Sequence, residues 1–427
     1  MQVLIFALIA RTQPLEIVGI YAVVNALWLL WRALGPLAFD QAAYRFIPTY
    51  ISNKEPGKIY GFFLHSVSAA FKSGVFGTAV CCVLAALSHL LGAPFRPDIA
   101  VLLIIFGLAL PAYALIGLYV GILRSTGSLA AAQLPESVVL QAAFGIFVLF
   151  LWVSNETTLV MLAAAQMVAA ISVALLYAIV WRRYARILPQ TMLSNQERSD
   201  ITGMRKSVLA TLAVTEISVR SPVAIVSLVL GPAAAALLEA AQRFGTLGSL
   251  TTWAVGTVVS PLLAQTYSKG DLNQVQNLYS LASILQTGCS LGLLIALFWW
   301  GEWVLTTILG VDFGAASIPT VLLAIATLVN ASGGVASIYL TMTGREMTVF
   351  QFSISRLIAI LAFVPFLGWT LGVSGVAGAL ILGSILRDIG LTAYVAGRTS
   401  LRPGIWSTHE LLRLARLALS KTPRKDT

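Results

Sequence analysis

The chain is 427 residues long, 58% apolar and only 10% charged, with a formal net charge of +10 and a mean hydropathy of +0.88. A soluble domain carries about 25% charged residues and, even at about 300 residues, buries only about 75% of its unfolded surface, so lipid must be the main solvent for this chain. A soluble enzyme, a disordered tail and a disulfide scaffold are excluded. Three cysteines (Cys81, Cys82, Cys289) make no disulfide framework. His65, His89 and His409 are too scattered for a metal site, so neither metal nor cofactor is expected.

Taken in chain order, twelve apolar runs broken by charges, Gly and Pro fall at 1–10, 17–44, 60–91, 99–122, 135–153, 157–182, 206–230, 233–266, 273–300, 314–342, 348–369 and 372–397. A spanning helix needs about 20 such residues, and the first run is a stub. Runs such as Val101–Leu110 do not alternate, which excludes a β-barrel. An all-α membrane protein of about twelve transmembrane helices is predicted.

The basic residues set its orientation. One set of alternate loops and the tail hold 18 of the 27, among them Lys54, Lys58, Arg124, Arg182, Arg183, Arg186, Arg205 and Lys269, whereas the opposite loops hold Arg11 and Arg96. The richer set belongs in the cytoplasm, with both termini there. The positive charge is thus topology, and no nucleic-acid partner is expected. The polar stretch 183–205 divides the chain into an N-terminal six-helix bundle (1–182) and a C-terminal one (206–397). In the basic tail (398–427), Leu411, Leu412, Leu414 and Leu417 stand against Arg413 and Arg416, which suits either an interfacial helix over 407–420 or a frayed basic tail.

The halves repeat each other. At an offset of 217, without gaps, Thr49-Tyr50 meets Thr266-Tyr267, Thr126-Gly127 meets Thr343-Gly344, Ser66 meets Ser283 and Trp152 meets Trp369. Six helices per repeat make a parallel repeat, the kind that places a substrate between its halves. The seventh run starts near Arg205-Lys206, so its counterpart would start about a dozen residues ahead of Met1. The first helix is therefore expected to be truncated, by a start-site error, by trimming or by nature.

No phosphate-binding GxxxxGK[ST] motif is present, so an ATP-driven pump is excluded. HExxH and GxSxG are also missing. The informative residues are the ionisable ones inside runs or at their edges: Arg32, Asp40, Arg45, Lys72, Glu216, Arg220, Glu239, Arg243, Arg356, Arg387 and Asp388. Each costs at least about 2.5 kcal/mol at the bilayer centre, so such groups face a bundle interior or a watery cavity. Seven basic against four acidic groups leave three positive charges, which suits an anionic substrate. Glu216/Arg220 and Glu239/Arg243 stand at i,i+4, either as self-neutralised pairs or as cavity-lining groups whose arginines bind phosphate. Arg32 and Asp40, eight apart on one helix, can share a broad face. Arg45, Arg387 and Asp388 sit near run ends, where snorkelling is expected. Trp28 and Trp31 are read as packing or lipid-facing groups, with sugar stacking by Trp28 as the alternative. Pro222 and Pro261 interrupt two runs, as plain kinks or as broken helices along a transport path.

The stretch GIYAVVNALWLLWRALGPLAFDQAAYRFIPTY, Gly19 to Tyr50, resembles the second helix of polysaccharide (O-antigen type) flippases of the multidrug/oligosaccharidyl-lipid/polysaccharide exporter superfamily. Their pattern is G-x-Y, an apolar run and D-Q-x-x-x-R-F-I-P-x-Y. Gly19, Tyr21, Asp40, Gln41, Arg45, Phe46, Ile47, Pro48 and Tyr50 match it, and the likeness continues through Leu230-Gly231-Pro232, Arg243, and Ser260-Pro261 to Lys269-Gly270-Asp271. Ala236 and Leu238 replace the glycine and tyrosine in the second repeat. Some members carry an acidic residue midway along the seventh helix, where this chain has Pro222, so a coupling-ion role at that position is not carried over; Glu216, nearly two turns earlier, is the candidate substitute. The resemblance implies a flippase that moves undecaprenyl-diphosphate-linked oligosaccharide across the bacterial inner membrane, by alternating access of two bundles around a cationic cavity. On that basis Arg32, Lys72, Arg220, Arg243 and Arg356 are the candidate ligands for diphosphate or acidic sugars. Asp40, Glu216 and Glu239 would balance that charge or carry a proton. Membrane lipid, a polysaccharide polymerase and chain-length proteins are the implied partners.

Four rivals remain. A drug or organic-cation antiporter of the same superfamily should favour acidic residues. A lipid II flippase commonly carries two further helices. A polysaccharide polymerase or ligase needs a sizeable outer loop, and a non-transporting scaffold needs no charges buried in both halves.

Overall fold

The computed structural model describes residues 2–90, 97–154, 158–186, 189, 191–399 and 401–402. Helices and short connections account for all of them, with no strand among the described residues. The chain divides into two compact units, Met1–Ala224 and Ile225–Thr427.

Unit 1 holds α1 (Gln2–Thr12), α2 (Leu15–Leu34), α3 (Phe39–Ser52), α4 (Gly57–Leu90), α5 (Pro97–Ser125), α6 (Leu129–Leu134), α7 (Leu140–Val153), α8 (Leu159–Ala185) and most of α9 (Asn195–Leu230). Helix α5 is its centre, packed by α2, α3, α4 and α8. Small residues let the backbones close in: a Cβ added at Gly74 of α4 would lie 2.4 Å from Pro111 Cα on α5. Trp28 is fully buried, stacked on Phe106 and Tyr113 with centroids 5.8 and 5.7 Å away, so it packs the core and is unavailable to a sugar. Unit 2 holds α10 (Pro232–Gly245), α11 (Ser249–Ser268), α12 (Leu272–Leu309), α13 (Ser317–Ser332), α14 (Ala336–Met342), α15 (Glu346–Ser384) and α16 (Gly390–Arg398). Here α13 is the hub, against α10, α12 and α15.

Nine helical segments among the described residues are long and apolar enough to cross a membrane, and ten if α10 and α11, bent by 47°, form one span. One of the nine is broken at Gly372, whose φ of 64° and ψ of −151° split α15 into two limbs. With the short apolar helix α1, this makes an all-α membrane protein of about twelve helices in two six-helix bundles.

The repeat is visible in the helices. Helices α2 and α10 begin at Leu15 and Pro232, and α5 and α14 end at Ser125 and Met342, each pair 217 positions apart. Gly127 and Gly344 follow those ends with φ of 84° and 77°, a left-handed turn conformation that a side chain would strain. Ser66 and Ser283 are both fully buried.

The polar stretch 183–205 is shorter as a connection than the sequence suggested. Helix α8 runs to Ala185 and α9 starts at Asn195, because Ser194 and Glu197 form a reciprocal cap. Glu197 accepts from the Ser194 N–H (2.8 Å), and its own N–H donates to Ser194 Oγ (3.2 Å). The first turns of α9 then dock on unit 1. Lys58 Nζ pairs with Glu197 at 2.8 Å, Ile201 is fully buried, and the Arg205 guanidinium lies 4.5 Å from the Phe39 ring centre. The division between the units accordingly falls inside α9, and not in the connection. Pro222 lies within α9 and Pro261 within α11, and neither helix ends there. The amphipathic segment 407–420, His409 and the His89 side chain lie outside the described residues.

Candidate functional site

In unit 1 the site begins where α2 breaks. Gly35-Pro36 removes a backbone donor and disfavours helix before the proline, and Leu37 and Ala38 take left-handed φ values of 55° and 61°. That costs roughly 1–2 kcal/mol per residue. The break lies on two glycines of α5, four residues apart: a Cβ at Gly117 would meet the Arg32 carbonyl oxygen at 2.3 Å, and one at Gly121 the Asp40 Cα at 2.6 Å. Arg32 and Asp40 therefore belong to different helices, and the single-helix face expected for them does not exist.

Arg32 is held by Glu136 through both carboxylate oxygens, by Nε and by Nη2. Glu136 stands at the edge of the 135–153 run, outside the set read from the sequence, and its pairing with Arg32, 104 positions away, has no local spacing to signal it. Glu136 sits in a π-helical turn, Pro135–Val139, a geometry that inserts one residue and re-aims side chains. With Glu136 the ionisable set becomes seven basic and five acidic groups, but Arg45 and Lys72 are exposed, so the groups that are at least partly buried balance at five against five. Asp40 Oδ2 accepts from Gln41 Nε2 at 2.8 Å, while Oδ1 is buried without a hydrogen bond. Of the other family-motif residues, Gly19 is buried. Tyr21 donates to Gln166 Oε1 at 2.9 Å, and Gln166 Nε2 in turn donates to Asn25 Oδ1 and Tyr113 Oη. Arg45 and Pro48 are exposed on α3.

The two local spacings both form pairs. Arg220 lies 3.6 Å from Glu216 with about a third of its side chain exposed. Arg243 lies 2.8 Å from Glu239, and both are well buried. Lys72 is exposed and has no ion-pair or hydrogen-bond partner among the described residues.

In unit 2 a second corner forms between the limbs of α15. Arg356 projects from the first limb and its stem packs on Gly383 of the second, where an added Cβ would sit 3.3 Å from Arg356 Cγ. Arg356 Nε is buried without a hydrogen bond, and the residue has no hydrogen-bond or ion-pair partner among the described residues. One turn past Gly383, Arg387 Nη1 donates to Asp388 Oδ1 at 2.7 Å, and its Nε donates to Ser353 Oγ at 3.4 Å. The Arg387 and Asp388 side chains are 17% and 6% exposed, so neither snorkels as their place near a run end suggested. A second π-helical turn, Ile385–Ile389, turns them inward. Among the described residues no three His, Cys, Asp or Glu side chains group as metal ligands.

A family model for polysaccharide biosynthesis proteins matches residues 1–267, more than half of the chain, and the chain belongs to that family. The fold is similar to that of a multidrug resistance transporter of the MATE family, in the MOP superfamily, caught inward-facing: TM-score 0.78, 16% identity, 93% of each chain covered. It is similar also to the lipid II flippase MurJ in an inward closed conformation, with TM-score 0.69 and 15% identity over 98% of this chain and 90% of that one. A MOP superfamily transporter from Pyrococcus furiosus Vc1 (DSM3638), described as having a binding pocket of reversed polarity that suggests a different function, aligns with TM-score 0.66 and 15% identity over 93% and 91% of the two chains. At these identities the likeness is one of fold. No curated protein sequence matches the chain.

Proposed function

We propose that the protein is a flippase that moves undecaprenyl-diphosphate-linked oligosaccharide from the cytoplasmic to the periplasmic leaflet of a bacterial inner membrane, by alternating access, for surface polysaccharide synthesis. Both termini are cytoplasmic in this reading, and polymerase and chain-length proteins take up the product. The family supports a role in polysaccharide synthesis, and the fold supports transport of a membrane-borne substrate. The single observation that carries the reading is a guanidinium in unit 2 that no carboxylate meets at ion-pair distance among the described residues. Glu136, Glu216, Glu239 and Asp388 are each engaged by an arginine and Asp40 by Gln41, which leaves Arg356, half-buried and with its Nε buried, without a hydrogen-bond or ion-pair partner among the described residues. An unpaired guanidinium inside a membrane protein is costly, and a diphosphate answers it with oxygens in a fork-matching geometry.

In this reading Arg356 and Lys72 meet the diphosphate or acidic sugars directly. Arg32, Arg220 and Arg243 bind through exchange with their acids. Asp40, Glu216 and Glu239 balance that charge or carry a proton. An antiporter for organic cations would need surplus acid instead. The test is to delete the gene and follow lipid-linked oligosaccharide and surface polysaccharide. Accumulation of the lipid-linked intermediate with loss of surface glycan, both reversed by the wild-type gene, is expected. An unchanged glycan with altered drug sensitivity would overturn the reading in favour of the antiporter.

A further inference from the structure

We propose that the corner of α15 formed by Ser353, Arg356, Gly383, Arg387 and Asp388 is a diphosphate-type oxyanion site, in which Asp388 is an internal counter-ion that the substrate displaces. The proposal rests on the flippase reading and deepens it by naming where in unit 2 the diphosphate would bind.

The geometry supplies the parts. Ser353 and Arg356, at i,i+3, share one face of the first limb. Gly383 lets the second limb approach closely enough for the Arg356 stem to lie against its backbone. Arg387 already reaches across to that limb, donating from Nε to Ser353 Oγ at 3.4 Å, a long bond that has room to be exchanged for a stronger one. Asp388 holds Arg387 with Oδ1 alone, at 2.7 Å, and its Oδ2 is buried without a hydrogen bond. Arg387 thus holds one oxygen of Asp388 while the other is idle, Arg356 has no carboxylate at ion-pair distance among the described residues, and the corner keeps one net positive charge. An anion with several oxygens satisfies Arg356 and draws Arg387 from Asp388, so that both arginines then present planar forks to one group. Asp388 keeps the empty corner from carrying two uncompensated charges, at the cost of competing with the ligand.

The competition fixes the sign of the tests. The full-length protein in nanodiscs of zwitterionic lipid is titrated calorimetrically with inorganic pyrophosphate and, separately, with glucuronate, to tell a carrier diphosphate from an acidic sugar. Pyrophosphate is expected to bind, about 30-fold or more weaker to Arg356→Gln, because that change removes a charge-assisted contact. Asp388→Asn, which removes the competitor, is expected to tighten binding about tenfold. Gly383→Ala, which shifts the Arg356 stem by a few tenths of an ångström while leaving every charge in place, is expected to weaken it about threefold. That variant, and a monodisperse elution profile for each protein, separate a lost site from a lost fold. Unchanged affinity in Arg356→Gln, or weaker binding in a folded Asp388→Asn, overturns the proposal. Glucuronate binding more tightly than pyrophosphate through Arg356 overturns the diphosphate assignment. The two readings fail separately. A deletion phenotype in lipid-linked oligosaccharide without Arg356-dependent pyrophosphate binding removes this site alone, whereas Arg356-dependent binding without that phenotype removes the flippase reading alone.

Discussion

Unit 1 holds Arg32 against both oxygens of Glu136, whereas unit 2 leaves Arg356 with no hydrogen-bond or ion-pair partner among the described residues. The units share a helical register at an offset of 217, yet the register carries none of this chemistry across. The position equivalent to Arg32 is Ser249, that equivalent to Arg356 is Val139, and that equivalent to Asp388 is Ile171. Glu136 maps onto Ser353, so where unit 1 places the acid that neutralises its arginine, unit 2 places a hydroxyl that accepts from Arg387. The repeat preserves the apolar packing that builds a bundle, while each bundle sets its own charges. In both units, the acid of a buried pair stands in a π-helical turn, Pro135–Val139 and Ile385–Ile389, and these turns are not equivalent under the repeat.

That contrast can be broken in graded steps. The largest effect is expected at Gly121, where a side chain meets Asp40 backbone at 2.6 Å. Gly121→Val should cost about 3 kcal/mol by overpacking, read as a lowered unfolding temperature in detergent, although the equivalent position in unit 2 already carries Ile338. Next, Glu136→Gln strips Arg32 of its charge partner. Breaking a buried pair costs about 3–5 kcal/mol, and partial exposure of this one reduces the expectation to about 2 kcal/mol. The double variant Arg32→Gln/Glu136→Gln should regain most of the loss, and a double variant no more stable than Glu136→Gln would show that the pair is not what holds the break. A smaller loss is expected for Tyr21→Phe, about 1 kcal/mol for one buried hydrogen bond to Gln166. The equivalent residue in unit 2 is the buried Leu238, which needs no such bond. Gly203 in α9 faces open space, so Gly203→Ala should gain about 0.5–1 kcal/mol; destabilisation there would mean that the start of α9 packs more tightly than described.

The sequence displayed the scaffold well and the site unevenly, for identifiable reasons. Apolar runs and turn residues are local, so the twelve helices and the offset of 217 could be read directly, down to the paired turns at Gly127 and Gly344. The pairs Glu216/Arg220 and Glu239/Arg243 could be read because one helical turn joins them. The pairing of Glu136 with Arg32 could not, because tertiary packing brings them together. Arg387 and Asp388 were misplaced because proximity to a run end suggests snorkelling, and nothing local announces the turn that points them inward. The early start of α9 was not legible, because the capping pair Ser194–Glu197 is followed by the polar stretch 198–206 and not by an apolar run. Its docking on Lys58 and Phe39 was not legible either, since both partners lie far away in the sequence.

The most direct measurement compares Arg32→Gln with Arg356→Gln in a deletion strain, at matched membrane abundance, reading unfolding temperature together with surface polysaccharide and accumulated lipid-linked oligosaccharide. The account predicts that Arg32→Gln lowers stability, because it leaves Glu136 unpaired, whereas Arg356→Gln unfolds at or above the wild-type temperature yet fails to restore surface glycan and accumulates the lipid-linked intermediate. Full restoration of the glycan by Arg356→Gln would contradict it, and would show that the unpaired arginine in unit 2 is not where the anionic substrate is met.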